Sequence, residues 1–73
     1  MSEEVLAEMV ANVWKVVTRV GDKVAEGDTI CILESMKMEI PVEATVAGTI
    51  TEITVAEGGV VQERDTIAVI EPE

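Results

Sequence analysis

The sequence predicts an all-β fold: eight short strands in two equivalent halves, forming two antiparallel sheets related by a pseudo-twofold axis. Three observations point there. Residues 9–34 (MVANVWKVVTRVGDKVAEGDTICILE) align without a gap on residues 46–71 (VAGTITEITVAEGGVVQERDTIAVIE) when shifted by 37 positions. Gly21 then falls on Gly58, Val24 on Val61, Asp28-Thr29-Ile30 on Asp65-Thr66-Ile67, and Glu34 on Glu71. The apolar residues make up 48% of the chain, with one Trp and no Phe or Tyr, so Val and Ile must supply the core. Such β-branched side chains suit a pleated, half-buried surface. Gly and Pro punctuate the chain at short intervals, and no window carries a helical period. Neither half can bury its apolar face alone, so the two must interlock.

The elements follow in order. Met1 to Glu4 is a polar start expected to fray. Val5 to Val10 can form a first strand. Asn12 to Val20 reads as a second, in which Val13, Val16 and Thr18 break strict alternation. Ile50, Ile53 and Val55 break it at the same place in the repeat, so each strand is expected to bend at a bulge. Trp14 aligns with the polar Thr51, which puts it on the outer face. There, a single aromatic covering one end of the core is favoured over a ligand platform. Gly21-Asp22 and Gly27-Asp28 are turn pairs around a very short strand at Lys23-Val24-Ala25. Thr29 to Glu34 is a buried strand. Glu39 to Thr45 is another, with Pro41 near its start, where a missing N–H costs least. Ala47-Gly48 turns the chain into a bent strand at Thr49 to Val55. A turn at Glu57-Gly58-Gly59, a short strand at Val60 to Gln62 and a last strand at Thr66 to Ile70 complete a single domain over residues 1–73.

Composition excludes several functions. The net charge is −10, from 15 acids against 5 bases. Nucleic acid and anionic membrane would both be repelled. The acids keep the domain soluble, or help dock it onto a basic partner. The single Cys31 cannot form an internal disulfide. It aligns with Ala68 and reads as a small buried residue, with no His and no neighbouring base to activate it. His is absent, which removes the usual general base and metal ligand. Ser2 and Ser35 have no base beside them. No apolar run approaches membrane-spanning length and no signal peptide is evident, so the cytoplasm is the expected compartment. The chain reads as something acted upon, not as a catalyst.

The segment left over by the repeat is Glu34-Ser35-Met36-Lys37-Met38-Glu39, because the same shift carries Lys37 past the C-terminus. It lies between two predicted strands in a connection short enough for a hairpin. Lys15 aligns with Glu52 and Lys23 with Val60, and both read as ordinary surface charge. Lys37 alone stands between two methionines, which suit adaptable contact surfaces. For an arbitrary Met-Lys-Met, tucked methionines and a solvated lysine would be the default. The position at the centre of a clean repeat favours exposure and function.

This segment resembles the biotin attachment motif of biotinyl domains, whose Met-Lys-Met carries biotin on the lysine. The resemblance spans the whole chain: the repeats, the Gly-Asp turns and the central lysine are similar to the biotinyl/lipoyl attachment family. Small stand-alone biotinylated proteins of the biotin/lipoyl attachment type are the most similar branch. The resemblance implies a flattened β-barrel, a barrel-sandwich hybrid of two four-stranded antiparallel sheets. It implies covalent biotin on Lys37, recognition through the flanking Met36 and Met38, and a hairpin context supplied by Glu34, Ser35 and Glu39. Two departures stand out. Many members have Ala where Ser35 stands, a small residue that should be tolerated. The gapless register leaves no room for the extra "thumb" loop of some acetyl-CoA carboxylase carriers.

A lysine amine is an ammonium at neutral pH and needs both an activated acyl donor and an enzyme that removes its proton. The resemblance implies that a biotin–protein ligase supplies both. The biotin arm would then shuttle a carboxyl group between a biotin carboxylase and a carboxyltransferase, commonly serving an acyl-CoA acceptor. The carrier itself would be non-catalytic and monomeric when isolated. Two rivals use the same fold. A lipoyl carrier typically has Asp-Lys-Ala here, so Met36 and Met38 argue for biotin over lipoate. An unmodified adaptor module usually lacks the lysine altogether.

Overall fold

The computed structural model describes residues 2–73. Eight strands form: β1 (Glu3–Leu6), β2 (Ala11–Val16), β3 (Lys23–Val24), β4 (Thr29–Ser35), β5 (Met38–Glu43), β6 (Gly48–Ile53), β7 (Val60–Val61) and β8 (Thr66–Pro72). They pair into two four-stranded sheets, in the orders β1-β8-β6-β3 and β5-β4-β2-β7, with every pairing antiparallel. The 37-residue shift carries β2 onto β6, β3 onto β7 and β4 onto β8 residue for residue. The expected pseudo-twofold is therefore the organising symmetry.

The repeat extends further than residues 9–34. Val5 falls on Val42 and Ala7 on Ala44, and both alanines are buried. The Ala7 amide donates to the Asp65 carbonyl, and the Ala44 amide donates to the Asp28 carbonyl, each at 2.8 Å. The Ala7 carbonyl accepts from the Arg64 amide and the Ala44 carbonyl from the Gly27 amide. Gly27 and Arg64 are themselves mates, with φ of 91° and 73°. A left-handed residue is needed at both turns; only the first half uses glycine for it. The neighbouring aspartates close these turns in the same way, Asp28 accepting from the Ala25 amide and Asp65 from the Gln62 amide.

The bulges fall where the broken alternation puts them. Register shifts between Val13 and Lys15 in β2, and between Ile50 and Glu52 in β6. Trp14 and Thr51 are thus the extra residues. Trp14 is 47% exposed and is not among the residues packed against the core, so it does not cover one end of it.

Strand ends differ from expectation where backbone groups find partners outside the ladder. The first strand forms at Glu3–Leu6 instead of at residues 5–10. Pairing of Glu3 with Ile70 and of Glu4 with Val69 draws the charged start into the sheet. Met1 lies outside the described residues. β2 stops at Val16, and beyond it the Asp22 carboxylate accepts from the Arg19 amide and ends the extended run. β5 starts at Met38, one residue early, and stops at Glu43 because Ala44 turns to the Asp28 carbonyl. Pro41 lies on β5, which is an edge strand, where a missing donor is tolerated. Gly48 opens β6 and does not simply turn the chain; a Cβ there would collide with the Glu71 carbonyl of β8.

The core is one cluster of small and β-branched side chains. Ile30, Cys31 and Leu33 of β4 and their mates Ile67, Ala68 and Ile70 of β8 are at its centre. No polar or charged residue is buried among the described residues. Burying an Ile or Leu side chain contributes about 1.5–3 kcal/mol. Burial also pushes the Cys31 thiol up to about 11, because a thiolate there would lose its hydration.

Two predictions follow from this packing. Cys31 should resist thiol reagents in the native state, and Cys31→Ala should cost roughly 1–2 kcal/mol in a urea titration. Rapid labelling of native protein would contradict its burial. The raised thiol pKa also sets a pH window. Below the ordinary value of 9.0 both states hold the proton; above it only the unfolded state loses it, until about 11. Stability should therefore fall between those values in wild type, and that component of the fall should vanish in Cys31→Ala.

Candidate functional site

β4 and β5 form a hairpin whose last register pair is Ser35 with Met38. Only Met36 and Lys37 lie between, and both are left-handed, with φ of 52° and 65°. Two consecutive positive φ values make the type I′ turn that matches strand twist, a turn for which Asn-Gly is the usual sequence. Side chains with a Cβ are disfavoured there by about 1–2 kcal/mol each. The ladder on both sides, from Thr29 with Glu43 up to Ser35 with Met38, imposes the turn in spite of this. Strain of this kind concentrates at functional positions.

The tip projects into solvent. Met36 is 90% exposed and Met38 61%, and Lys37 is exposed between them. Large apolar side chains this open are costly to leave in water unless something contacts them. Glu34 and Glu39 face each other one register step below the tip, both exposed, and Glu34 also pairs with Asn12 of β2. Like charges directly opposite each other on paired strands are destabilising. Ser35 is half-buried at the last rung, where a small side chain fits. All six residues singled out in the sequence thus meet at one hairpin end. The left-handed pair at its tip was not foreseen, because Met-Lys carries none of the usual turn residues.

The topology sets this tip apart from the chain ends. β1 hands over to β2 through Ala7–Val10, and β2 begins beside the tip, with Asn12 facing Glu34. The start of β8 meets the end of β1, with Thr66 opposite Leu6. The far end of β8, where Ser2 and Glu71 are hydrogen-bonded, therefore lies at the other end of the sandwich. Among the described residues, no cluster of three or more acidic, Cys or His side chains could hold a metal. Among the same residues, no helix is long and apolar enough to cross a membrane.

A family model described as "Biotin-requiring enzyme", for biotin and lipoyl attachment domains, matches residues 3–70. The chain belongs to the biotin/lipoyl attachment family. Within it, a biotinylated protein TB7.3 homolog of Mycobacterium leprae (strain TN) is 53% identical over 70 residues, 96% of this chain and 99% of that one. A biotin/lipoyl attachment protein of Bacillus subtilis (strain 168) is 43% identical over 60 residues, 82% of each chain. Among solved structures, the Kluyveromyces lactis urea carboxylase matches with a TM-score of 0.92 and 38% identity, over 97% of this chain and 6% of that one. The family thus accounts for the two four-stranded sheets.

The strain at the tip is measurable. Met36→Gly should relax one left-handed position and raise stability by about 0.5–1 kcal/mol, read as a higher urea midpoint at unchanged slope. A lower midpoint would mean that the Met36 side chain stabilises the turn instead of straining it.

Proposed function

We propose that this protein is a non-catalytic biotin carrier that holds biotin as an amide on the Nζ of Lys37. The observation that carries this reading is the placement of one lysine at a two-residue tip, held by a ladder on both sides and flanked by exposed methionines. The protein's own residues fit the group. Lys37 is exposed at the tip, so an enzyme can close around its amine. Met36 and Met38 offer unbranched, polarizable contacts to that enzyme, a biotin–protein ligase. Glu34 and Glu39 add negative charge that would favour a basic approach surface. The amine must give up a proton before attacking an activated acyl carbon; its C–N bond then forms as the donor's leaving group departs. Once attached, biotin supplies a ring that can accept and release a carboxyl group.

The remaining task of the chain is positioning. The carrier presents the arm to a biotin carboxylase and then to a carboxyltransferase, whose acceptor we take to be an acyl-CoA. Rigidity at the base of the arm limits the volume searched, and the arm covers the remaining distance. The name of the Bacillus relative supports lipoate as a second reading, and the intact mass of protein from its native host distinguishes the two. A monomer in the cytoplasm suits a small acidic carrier whose one thiol is buried and unpaired.

Two substitutions test the site. Lys37→Arg should leave the fold intact by circular dichroism and abolish streptavidin binding after ligase treatment. Biotin found on Lys15 or Lys23 would reject the assignment. The exchange Lys37→Met with Met38→Lys keeps composition and charge. It moves the amine from the left-handed tip into the first rung of β5, where side chains stand off the sheet. Misplacement of a nucleophile by one residue can lower a rate about a hundredfold or more. The exchanged protein should fold and accept biotin at least that much more slowly; incorporation at the wild-type rate would show that the ligase does not read position.

A further inference from the structure

The pseudo-twofold makes each half a control for the other. On the outer face of the sheet that carries the hairpin, one row of side chains crosses three neighbouring strands. Lys15 of β2 pairs with Ile32 of β4, and Ile32 pairs with Pro41 of β5. Trp14 joins this row at the bulge. The mates of these residues in the other sheet are Glu52, Val69, Glu4 and, at the bulge, Thr51. The fold is thus built with Thr and Glu at the positions that hold Trp and Pro here. Packing does not require the indole, which is absent from the set packed on the core. An indole left half in water gives up much of the burial it could gain.

We propose that Trp14 is a docking plate for the ring of the biotin on Lys37, so that the carrier holds its own cofactor against the sheet between deliveries. This rests on the reading of Lys37 as the attachment site. Reach permits it. Val13 faces Leu33 and Lys15 faces Ile32, so the bulge lies four to five residues below Lys37 along the hairpin. At ~3.3 Å per residue and one strand spacing of ~4.8 Å, the path is roughly 14–17 Å. The lysine side chain and the biotin acyl arm comprise about eleven chain bonds, or ~13 Å when extended at ~3.6 Å per three bonds, before the ring itself.

Chemistry suits the same place. The indole offers a flat apolar surface to the sulfur-containing side of the ring. The Lys15 ammonium lies over the indole, 5.6 Å from its centroid, and its flexible side chain would move aside as the biotin ring stacks there. That ammonium can donate to the ring's ureido carbonyl oxygen. A tether holds the ring at an effective concentration of about millimolar, so even a millimolar contact would be occupied about half the time. Docking at that strength shields the ring without preventing its release.

Trp14 is the only Trp and there is no Tyr, so the intrinsic fluorescence of the protein reports this residue alone. The experiment compares unmodified protein with protein biotinylated on Lys37, the site verified by peptide mass spectrometry. Biotinylation should shift the emission to shorter wavelength and lower the acrylamide quenching constant by about half. Nuclear Overhauser contacts should connect indole and biotin-ring protons. Protein acetylated on Lys37, which loses the charge but gains no ring, should match the unmodified protein, as should unmodified protein mixed with an equimolar amount of free biotin. In biotinylated Trp14→Thr, streptavidin should capture the biotin about twice as fast as in wild type. Equal quenching in the two forms, or an acetylated protein that matches the biotinylated one, would overturn the docking plate while leaving attachment at Lys37 intact. Biotin on another lysine would overturn both.

Discussion

The constraint on which the structure depends is that neither half of this chain can bury its own apolar face. With no Phe or Tyr, the core is filled by Ile, Val, Leu, Ala and one Cys, each contributing modest area. Enough burial is reached only when Ile30, Cys31 and Leu33 share a cluster with Ile67, Ala68 and Ile70. A chain this short has little margin, so both copies of the motif are needed for either to persist. The consequence for function is local. β4 contributes three core residues and is held between β2 and β5, which leaves the hairpin above it little freedom to move. A strained Met-Lys turn survives because the strands beneath it are fixed by the core.

Symmetry and its breaking divide the structure between folding and function. Residues that repeat across the two halves, such as Ala7 with Ala44 or Asp28 with Asp65, close the same turns through the same hydrogen bonds. Several exposed apolar residues do not repeat in kind. Leu6 aligns with Glu43, Trp14 with Thr51, Val17 with Thr54, Val20 with Glu57 and Met36 with Glu73. Each polar partner shows that the fold tolerates water at that position. The fold therefore leaves those positions free to serve contact with a partner or a cofactor.

Much of this was legible in the sequence. The gapless repeat gave the symmetry, and the broken alternation at Val13 to Val16 located both bulges. The unrepeated Met36-Lys37-Met38 marked the hairpin. The misplacements share one cause. Strand ends here are set by tertiary hydrogen bonds, such as those of Ala7 and Ala44, and by the pairing of Glu3 and Glu4 with β8. None of these leaves a periodic trace in the nearby sequence. The left-handed turn was hidden for a related reason: the ladder imposes it on residues that would not choose it. The size of Trp14 suggests a core role, but its alignment with the polar Thr51 is the better guide to its exposure.

The charge of the molecule bears on how such a carrier works. A net charge of −10 sets this domain against acidic surfaces, its own copies included. Attachment at Lys37 would remove the positive charge between Glu34 and Glu39, making the tip more acidic than before. The modified tip should then be drawn more strongly to basic surfaces than the unmodified one, and the effect should weaken as salt screens it. An enzyme that uses the loaded carrier can in this way prefer it over the unloaded form before any contact with the ring. If Lys37 is the attachment site, as proposed, an enzyme that loads it would meet the tip while the lysine charge is still present. The two encounters would then meet different fields on the same hairpin, separated by a single positively charged side chain.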